Sequence, residues 1–226
     1  MKNVLLTGAN GQLGISIKQK LKQNYNVITT DIKGDVDILL DLRNINDIEK
    51  TVSKIYDNVS IDILINNAGI AVFTPTLERT FEEFDNVMKT NVYGTFFLTK
   101  EILKRMKQGK IINTASIYGL ISPDKRIYGN SGRNSSEVYG MSKAAIIQLT
   151  KYIATHFKNI QCISISPGGI FNNQSEDFIK NYSEKTPLNR LADVEEISSL
   201  VEFLCSDSSS YINGENIVID GGFSVW

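Results

Sequence analysis

Short apolar runs and longer helical stripes alternate along the whole chain, and this alternation constrains the fold more than any other feature. Val4-Leu5-Leu6 reads as a first strand; Leu13, Ile17 and Leu21 then recur every four residues as one face of a helix over 13–23. β-Branched residues fill a second strand at 26–31, and 36–42 reads as a third. Ile45, Ile48, Val52 and Ile55 mark the next helix. There follow a fourth strand at 61–66, a long helix over 78–106 and a fifth strand at 110–114. A helix over 137–157, a sixth strand at 161–165, a helix over 194–204 and a last strand at 216–219 complete the pattern. This order predicts an α/β fold: one doubly wound, mostly parallel seven-stranded sheet with helices on both faces, spanning 1–226 as a single domain. Such a domain buries roughly 70% of its unfolded-chain surface, and its ligand lies beyond the carboxyl ends of the strands.

Several function classes are excluded early. A net charge of -1 leaves no excess of Lys and Arg for phosphate backbones, which argues against nucleic acid. Cys162 and Cys205 sit in apolar runs with no ligand or redox spacing, so they read as core thiols in a reduced cytoplasmic setting, and no metal is expected. Three apolar residues before Gly8 fall short of the roughly 7–15 of a signal-peptide core. No window approaches the roughly 18 of a membrane span, so no membrane partner is expected. His156, the single histidine, lies late in a helix where a cation suits the dipole. Lys100, Lys104, Arg105, Lys107 and Lys110 read as a solvated helix face.

Between the first strand and first helix lies Thr7-Gly8-Ala9-Asn10-Gly11-Gln12-Leu13-Gly14. Glycines there allow a tight turn and let a pyrophosphate approach the backbone at a helix N-terminus. Asp31 ends the second strand, where a carboxylate accepts hydrogen bonds from the ribose hydroxyls of NAD and repels the extra phosphate of NADP. NADP stays possible because Lys33 is close by. Asp41, followed by Leu42, could face adenine or cap the next helix. Further along, Tyr139 and Lys143 are four residues apart and share a helix face. A free phenol has a pKa near ~10; a neighbouring ammonium stabilises the phenolate, so the pair can exchange a proton with an alcohol or ketone oxygen. Ser116, after the fifth strand, could hydrogen-bond that oxygen or simply cap a turn.

These motifs together resemble the classical short-chain dehydrogenase/reductase family over essentially the whole chain. The turn from Thr7 to Gly14, Asn66-Asn67-Ala68-Gly69, Asn91-Val92-Tyr93-Gly94, Ser116, Tyr139 with Lys143, Ser166-Pro167-Gly168-Gly169-Ile170 and Asp220-Gly221-Gly222 match its segments in order. The resemblance implies a Rossmann fold and an NAD(P)-dependent oxidoreductase acting on CH–OH groups. Tyr139 would be the acid/base, with Lys143 lowering its pKa, Ser116 holding the substrate oxygen and Asn91 completing a proton relay. Gly8, Asn10, Gly11, Gln12, Leu13, Gly14 and Asp31 would hold the adenosine half, with Asp41 and Leu42 beside the adenine. Asn67, Ala68, Gly69, Thr114, Tyr139, Lys143, Pro167, Gly168 and Ile170 would line the ribose and nicotinamide.

Three departures qualify the match. The middle glycine of the turn sits one position early, as in the extended branch of sugar-nucleotide epimerases. Only a few residues separate the second and third strands, where the family usually has a helix. The interval from Ser116 to Tyr139 is longer than usual and holds a polar stretch, 122–138, read as an expanded surface loop beside the substrate. Arg126, Tyr128 and Arg133 in it are candidates for recognising a polyhydroxy or anionic substrate. The family's threonine after Pro-Gly is also replaced, by Asn172 or Asn173. Together with Pro167-Gly168-Gly169-Ile170-Phe171-Asn172-Asn173-Gln174, the expanded loop is similar to reductases of bacterial surface-sugar and flagellin-modification pathways, which implies a sugar-like small molecule. A sugar-nucleotide epimerase and a non-catalytic dinucleotide-binding regulator are the alternatives. The resemblance also implies a homodimer or homotetramer.

Overall fold

The computed structural model describes residues 1–130 and 134–226. Seven parallel strands form one sheet in the order β3-β2-β1-β4-β5-β6-β7. They are β1 (Lys2–Thr7), β2 (Tyr25–Asp31), β3 (Ile38–Leu39), β4 (Ile63–Asn66), β5 (Gly109–Thr114), β6 (Ile160–Pro167) and β7 (Asn216–Ile219). Strand order reverses between β1 and β4, so a crevice opens there beyond their carboxyl ends.

Both faces of the sheet are covered, which is why its central strands read as unbroken apolar runs. Alternate residues feed opposite cores. Val4, Leu6, Ile63, Ile65, Ile112 and Ile163 pack with Ile17 and Leu21 of α1 (Gln12–Leu21) and with Ile197, Val201 and Leu204 of α7 (Val194–Cys205). Leu5, Leu64 and Ile111 face the other way. They meet Ile48, Val52 and Ile55 of α2 (Ile45–Tyr56), and beyond these Leu98 and Ile102, then Ile153 of α5 (Glu137–His156). Cys162 and Cys205 are free thiols, one in each core.

Four sequence expectations change. The helix expected over 78–106 is divided into α3 (Phe81–Met88), a π-helical stretch Lys89–Gly94 and α4 (Thr95–Leu103). Thr80 starts α3 by a capping box with Glu83, and Gly94 lies so close to Leu42 that a Cβ there would meet its Cβ at 2.6 Å. The third strand shrinks to two residues. In place of a helix before it, Asp37 accepts from both the N–H and the hydroxyl of Thr29, which fastens the short connection to the sheet edge. A helix not expected, α6 (Glu176–Glu184), follows β6.

The fourth change concerns 122–138. Its described part is not simply a solvated loop, because Ile127 and Tyr128 are buried with Ile117, Tyr182, Leu191 and Phe223. Tyr128 packs on Phe178 of α6 with ring centroids 5.7 Å apart, and Asp124 pairs with Lys185 just after that helix. Residues 131–133, with Arg133, lie outside the described residues.

Candidate active site

A groove of about 540 Å³ runs along the carboxyl ends of β1, β2 and β4, and a smaller cavity of about 200 Å³ continues it past β5 and β6. Leu13, Asn67 and Gly69 line both. At the far end of the groove the glycine turn follows β1. Gly8 has φ +64, and a Cβ on Gly14 would sit 2.1 Å from the Gly8 carbonyl, so strand and helix pack with no side chain between them. Gln12 and Leu13, which open α1 and whose N–H groups lack an acceptor within the helix, line the groove. Thr7 ties this turn to the next loop: its hydroxyl accepts from the N–H groups of Asn67 and Ala68 at 3.1 Å. Asn67 donates through Nδ2 to the Gly8 carbonyl at 3.0 Å.

Asp31 ends β2 and lines the groove. Its carboxylate accepts from the N–H of Asn10 at 3.0 Å and of Ile32 at 2.7 Å, while the Asn10 side chain donates to the Lys33 carbonyl at 2.5 Å. Asp41 and Leu42 also line the groove. The Asp41 carboxylate, however, is held by Arg43 at 2.7 and 2.9 Å, and this guanidinium keeps it below the usual carboxylate range. Asn44, not Asp41, caps α2. A role for the Asp41 carboxylate at adenine would have to share it with Arg43.

Ser116, Tyr139 and Lys143 line the smaller cavity together with Thr114, Pro167, Gly168 and Ile170. The sheet places Ser116 just beyond β5, and Ser136 caps α5 by accepting from the N–H of Tyr139 at 3.3 Å. That fixes the first turn, so Tyr139 and Lys143 project one turn apart from the same face. Burial raises the Tyr139 phenol above its ordinary value, and a hydrogen bond with Ser116 opposes the shift. Lys143 is buried; its Nζ donates to the Thr114 carbonyl at 2.7 Å and lies 5.4 Å from the centre of the Tyr139 ring. Burial lowers its pKa to about 8.

Asn91 sits in the π-helical stretch and is buried. It accepts from the Ile70 N–H at 2.8 Å, donates to the Ile70 carbonyl at 2.9 Å and also reaches Ser142. A Cβ on Gly69 would lie 3.3 Å from the Lys143 ammonium and 3.4 Å from the Asn91 carboxamide, so that glycine keeps the space over Lys143 open.

The candidates in the loop fall differently. Arg126 is exposed and engaged by Asp124 through Nε and Nη2, and Tyr128 is buried beside the Tyr118 phenol. Sequence reasoning missed Thr7 and Ser142, both buried hydroxyls that fasten loops. It also missed Tyr182, whose hydroxyl accepts from the Gly169 N–H at 2.5 Å. An apolar spacing in Phe178, Ile179 and Tyr182 behind Ser175 would have revealed α6. Among the described residues no group of His, Cys, Asp and Glu gathers as for a metal, and no helix is long and apolar enough to cross a membrane.

A Rossmann sheet with a glycine turn at one end and a serine, tyrosine and lysine at the other defines an NAD(P)-dependent oxidoreductase of the short-chain dehydrogenase/reductase class. The chain belongs to that family: residues 8–224 match the family model described as enoyl-(acyl carrier protein) reductase. It is similar to the 3-oxoacyl-[acyl-carrier-protein] reductase FabG of Aquifex aeolicus (strain VF5), at 31% identity over 97% of this chain and 86% of the relative. A short-chain dehydrogenase from Leptospira borgpetersenii serovar Hardjo-bovis, solved with bound NAD+, superposes with a TM-score of 0.93 at 42% identity, covering 99% of this chain and 93% of that one. A 4-hydroxyisoleucine dehydrogenase complexed with NADH gives 0.88 at 33% identity, covering 100% of both chains.

Proposed function

We propose that this chain is an NAD-preferring, cytoplasmic enzyme that interconverts a carbonyl and a secondary alcohol on a small, polar, sugar-like molecule. The observation that carries the reading is the placing of Ser116, Tyr139 and Lys143 in one cavity, continuous with a groove that ends at Asp31. The groove fits a dinucleotide, since glycine turn, helix N-terminus and ribose-facing carboxylate stand where its parts would lie. When bound, the nicotinamide supplies or takes up the hydride.

The chain's own residues do the rest. In reduction Tyr139 gives its phenolic proton to the carbonyl oxygen, and Ser116 donates a hydrogen bond that holds that oxygen. Lys143 stabilises the phenolate by its charge, which offsets the burial that raises Tyr139. Asn91 keeps the loop at Ile70 and helix α5 in register, and Pro167, Gly168 and Ile170 bound the nicotinamide side.

Support for a polar substrate comes from residues 122–138, proposed as the substrate-side insert. Arg126 and Lys185 both stand against Asp124, which favours a neutral polyhydroxy molecule over an anionic one. The likeness to a 4-hydroxyisoleucine dehydrogenase favours small polar substrates as well. A homodimer or homotetramer is proposed from the apolar residues exposed on neighbouring helices, namely Phe81, Tyr93, Phe96, Met141 and Tyr152.

Titration with NADH and NADPH, followed by nicotinamide fluorescence in wild type and Asp31→Ala, tests the reading. Tight NADH binding, weak NADPH binding and loss of that preference in the variant are expected. Sugar-derived ketones are then screened for turnover, with Tyr139→Phe as the inactive control. Binding of neither nucleotide would overturn the enzyme reading, and stronger NADPH binding would overturn the role of Asp31.

A further inference from the structure

The adenosine-side groove and the catalytic cavity meet where a pyrophosphate would join the two halves of a dinucleotide. At that junction one side chain links the opposite walls. Gln12, the first residue of α1, donates through Nε2 to the carbonyl of Phe171 at 2.6 Å. Phe171 follows Ile170, which lines the catalytic cavity, whereas Gln12 lines the groove.

The segment that receives this bond is already stiff at its base and within its turn. The Phe171 N–H donates to the Ala192 carbonyl and the Ala192 N–H to the Gly169 carbonyl, both at 2.9 Å. Gln174 accepts from the Asn172 N–H at 2.8 Å and donates to the Ile170 carbonyl at 2.7 Å, which closes a turn that carries Asn173 at φ +50. Tyr182 holds Gly169 from behind. The tip at Phe171 is fastened across the junction by Gln12.

Two departures from the family pattern thereby become one arrangement. Because the middle glycine stands at 11, position 12 is free to carry a side chain. The same chain lacks the family's threonine after Pro-Gly. We propose that Gln12 is a positioning residue that straps residues 168–174 closed over the pyrophosphate and so sets how fast the coenzyme leaves. Glutamine has the right chemistry for such a strap. Its stem reaches the Phe171 carbonyl, its amide donates, and its neutrality spares a phosphate the repulsion a carboxylate would bring. The inference rests on the NAD reading above.

The test uses wild type and Gln12→Met, which keeps the length and removes the donor. NADH dissociation is followed by stopped-flow fluorescence, and amide hydrogen exchange of 168–174 is followed in the nucleotide-free protein. Loss of one such hydrogen bond is expected to speed dissociation about three- to tenfold and to speed exchange in that segment, with exchange in the central strands unchanged. If wild type binds NADH and Gln12→Met changes neither rate, the strap is overturned and the coenzyme reading stands. If wild type binds no nucleotide, the coenzyme reading falls, and the exchange measurement still decides whether Gln12 holds the segment.

Discussion

Asn91 donates through Nδ2 to the hydroxyl of Ser142 at 2.9 Å, and Ser142 donates in turn to the carbonyl of Tyr139 at 2.7 Å. Ser142 is fully buried between the two residues of the proposed catalytic pair. The widened π-helical turn and the helix that carries Tyr139 are thus joined by one side-chain relay. Asn91→Ala removes three hydrogen bonds, those to the N–H and carbonyl of Ile70 and the one to the buried Ser142 hydroxyl, which keeps its bond to Tyr139. It is expected to cost about 2–4 kcal/mol of stability and to lower kcat. Ser142→Ala should cost less. Combined, the two should fall short of additivity by about 0.5–3 kcal/mol, the coupling of residues in one network. Denaturant unfolding of the four proteins measures this.

Lys143 predicts a pH dependence. Burial lowers it to about 8, against about 10.4 for a lysine in an unfolded chain. Between those values the unfolded chain holds more protons than the folded one, so stability rises with pH across that window. Below about 8 both states are charged and the full penalty of the buried ammonium is present. Unfolding midpoints measured from about pH 7 to pH 10 should show this rise in wild type and lose it in Lys143→Met. The same variant should move the rise of alcohol oxidation with pH to higher pH, because it leaves only the hydrogen bond with Ser116 to oppose the burial of Tyr139.

A second buried lysine predicts a change in stability without one in chemistry. Lys110 donates to the carbonyls of Leu204 and Ser206 at 3.0 and 2.5 Å and to the Ser209 hydroxyl at 2.8 Å. It satisfies the carboxyl end of α7 from within β5, and so is not part of the solvated helix face that the basic run suggested. Lys110→Met removes all three donations and leaves the Leu204 and Ser206 carbonyls to share the Ser209 hydroxyl, which should lower stability by about 2–4 kcal/mol. Thermal unfolding should show the loss, with KM for the coenzyme unchanged in the protein that remains folded.

Gly94→Ala acts on the coenzyme groove from behind. Its Cβ would lie 2.6 Å from the Leu42 Cβ and 2.7 Å from the Leu42 carbonyl, and Leu42 lines the groove. The residue that yields is expected to be Leu42, displaced into the adenosine side. NADH affinity should fall about tenfold or more, as an overpacked site costs about 1–3 kcal/mol, while substrate KM at saturating coenzyme changes little. Fluorescence titration checks the first and steady-state kinetics the second.

The sheet and the candidate catalytic residues were legible because local patterns determine them. Buried parallel strands write themselves as apolar runs, and Asp31, Ser116 and Tyr139 each sit where a strand or helix start delivers them. What escaped depends on contacts between distant segments. No periodicity records that Gly94 must approach Leu42 or that Asn91 binds Ile70, and these contacts accompany the interruption of the helix over 78–106. Tyr128 looked like a polar-loop residue because its neighbours are Gly, Asn and Arg. Its burial comes from Phe178 and Tyr182, some fifty residues later, on a helix whose short stripe was overlooked.

The strand order carries a consequence for how the chain assembles as it is made. β2 and β3 add in turn along one side of β1; β4 then pairs with the free side of β1, and β5, β6 and β7 each join beside the strand made just before. The sheet can grow outward first at one edge and then at the other in step with synthesis, never needing a later strand to slip between earlier ones. The newest edge in the meantime is an apolar strand with unpaired backbone groups, Ile111-Ile112 and then Cys162 to Ile165. Until the next strand arrives, that moving edge is the place where the unfinished chain is most exposed to pairing with a neighbour.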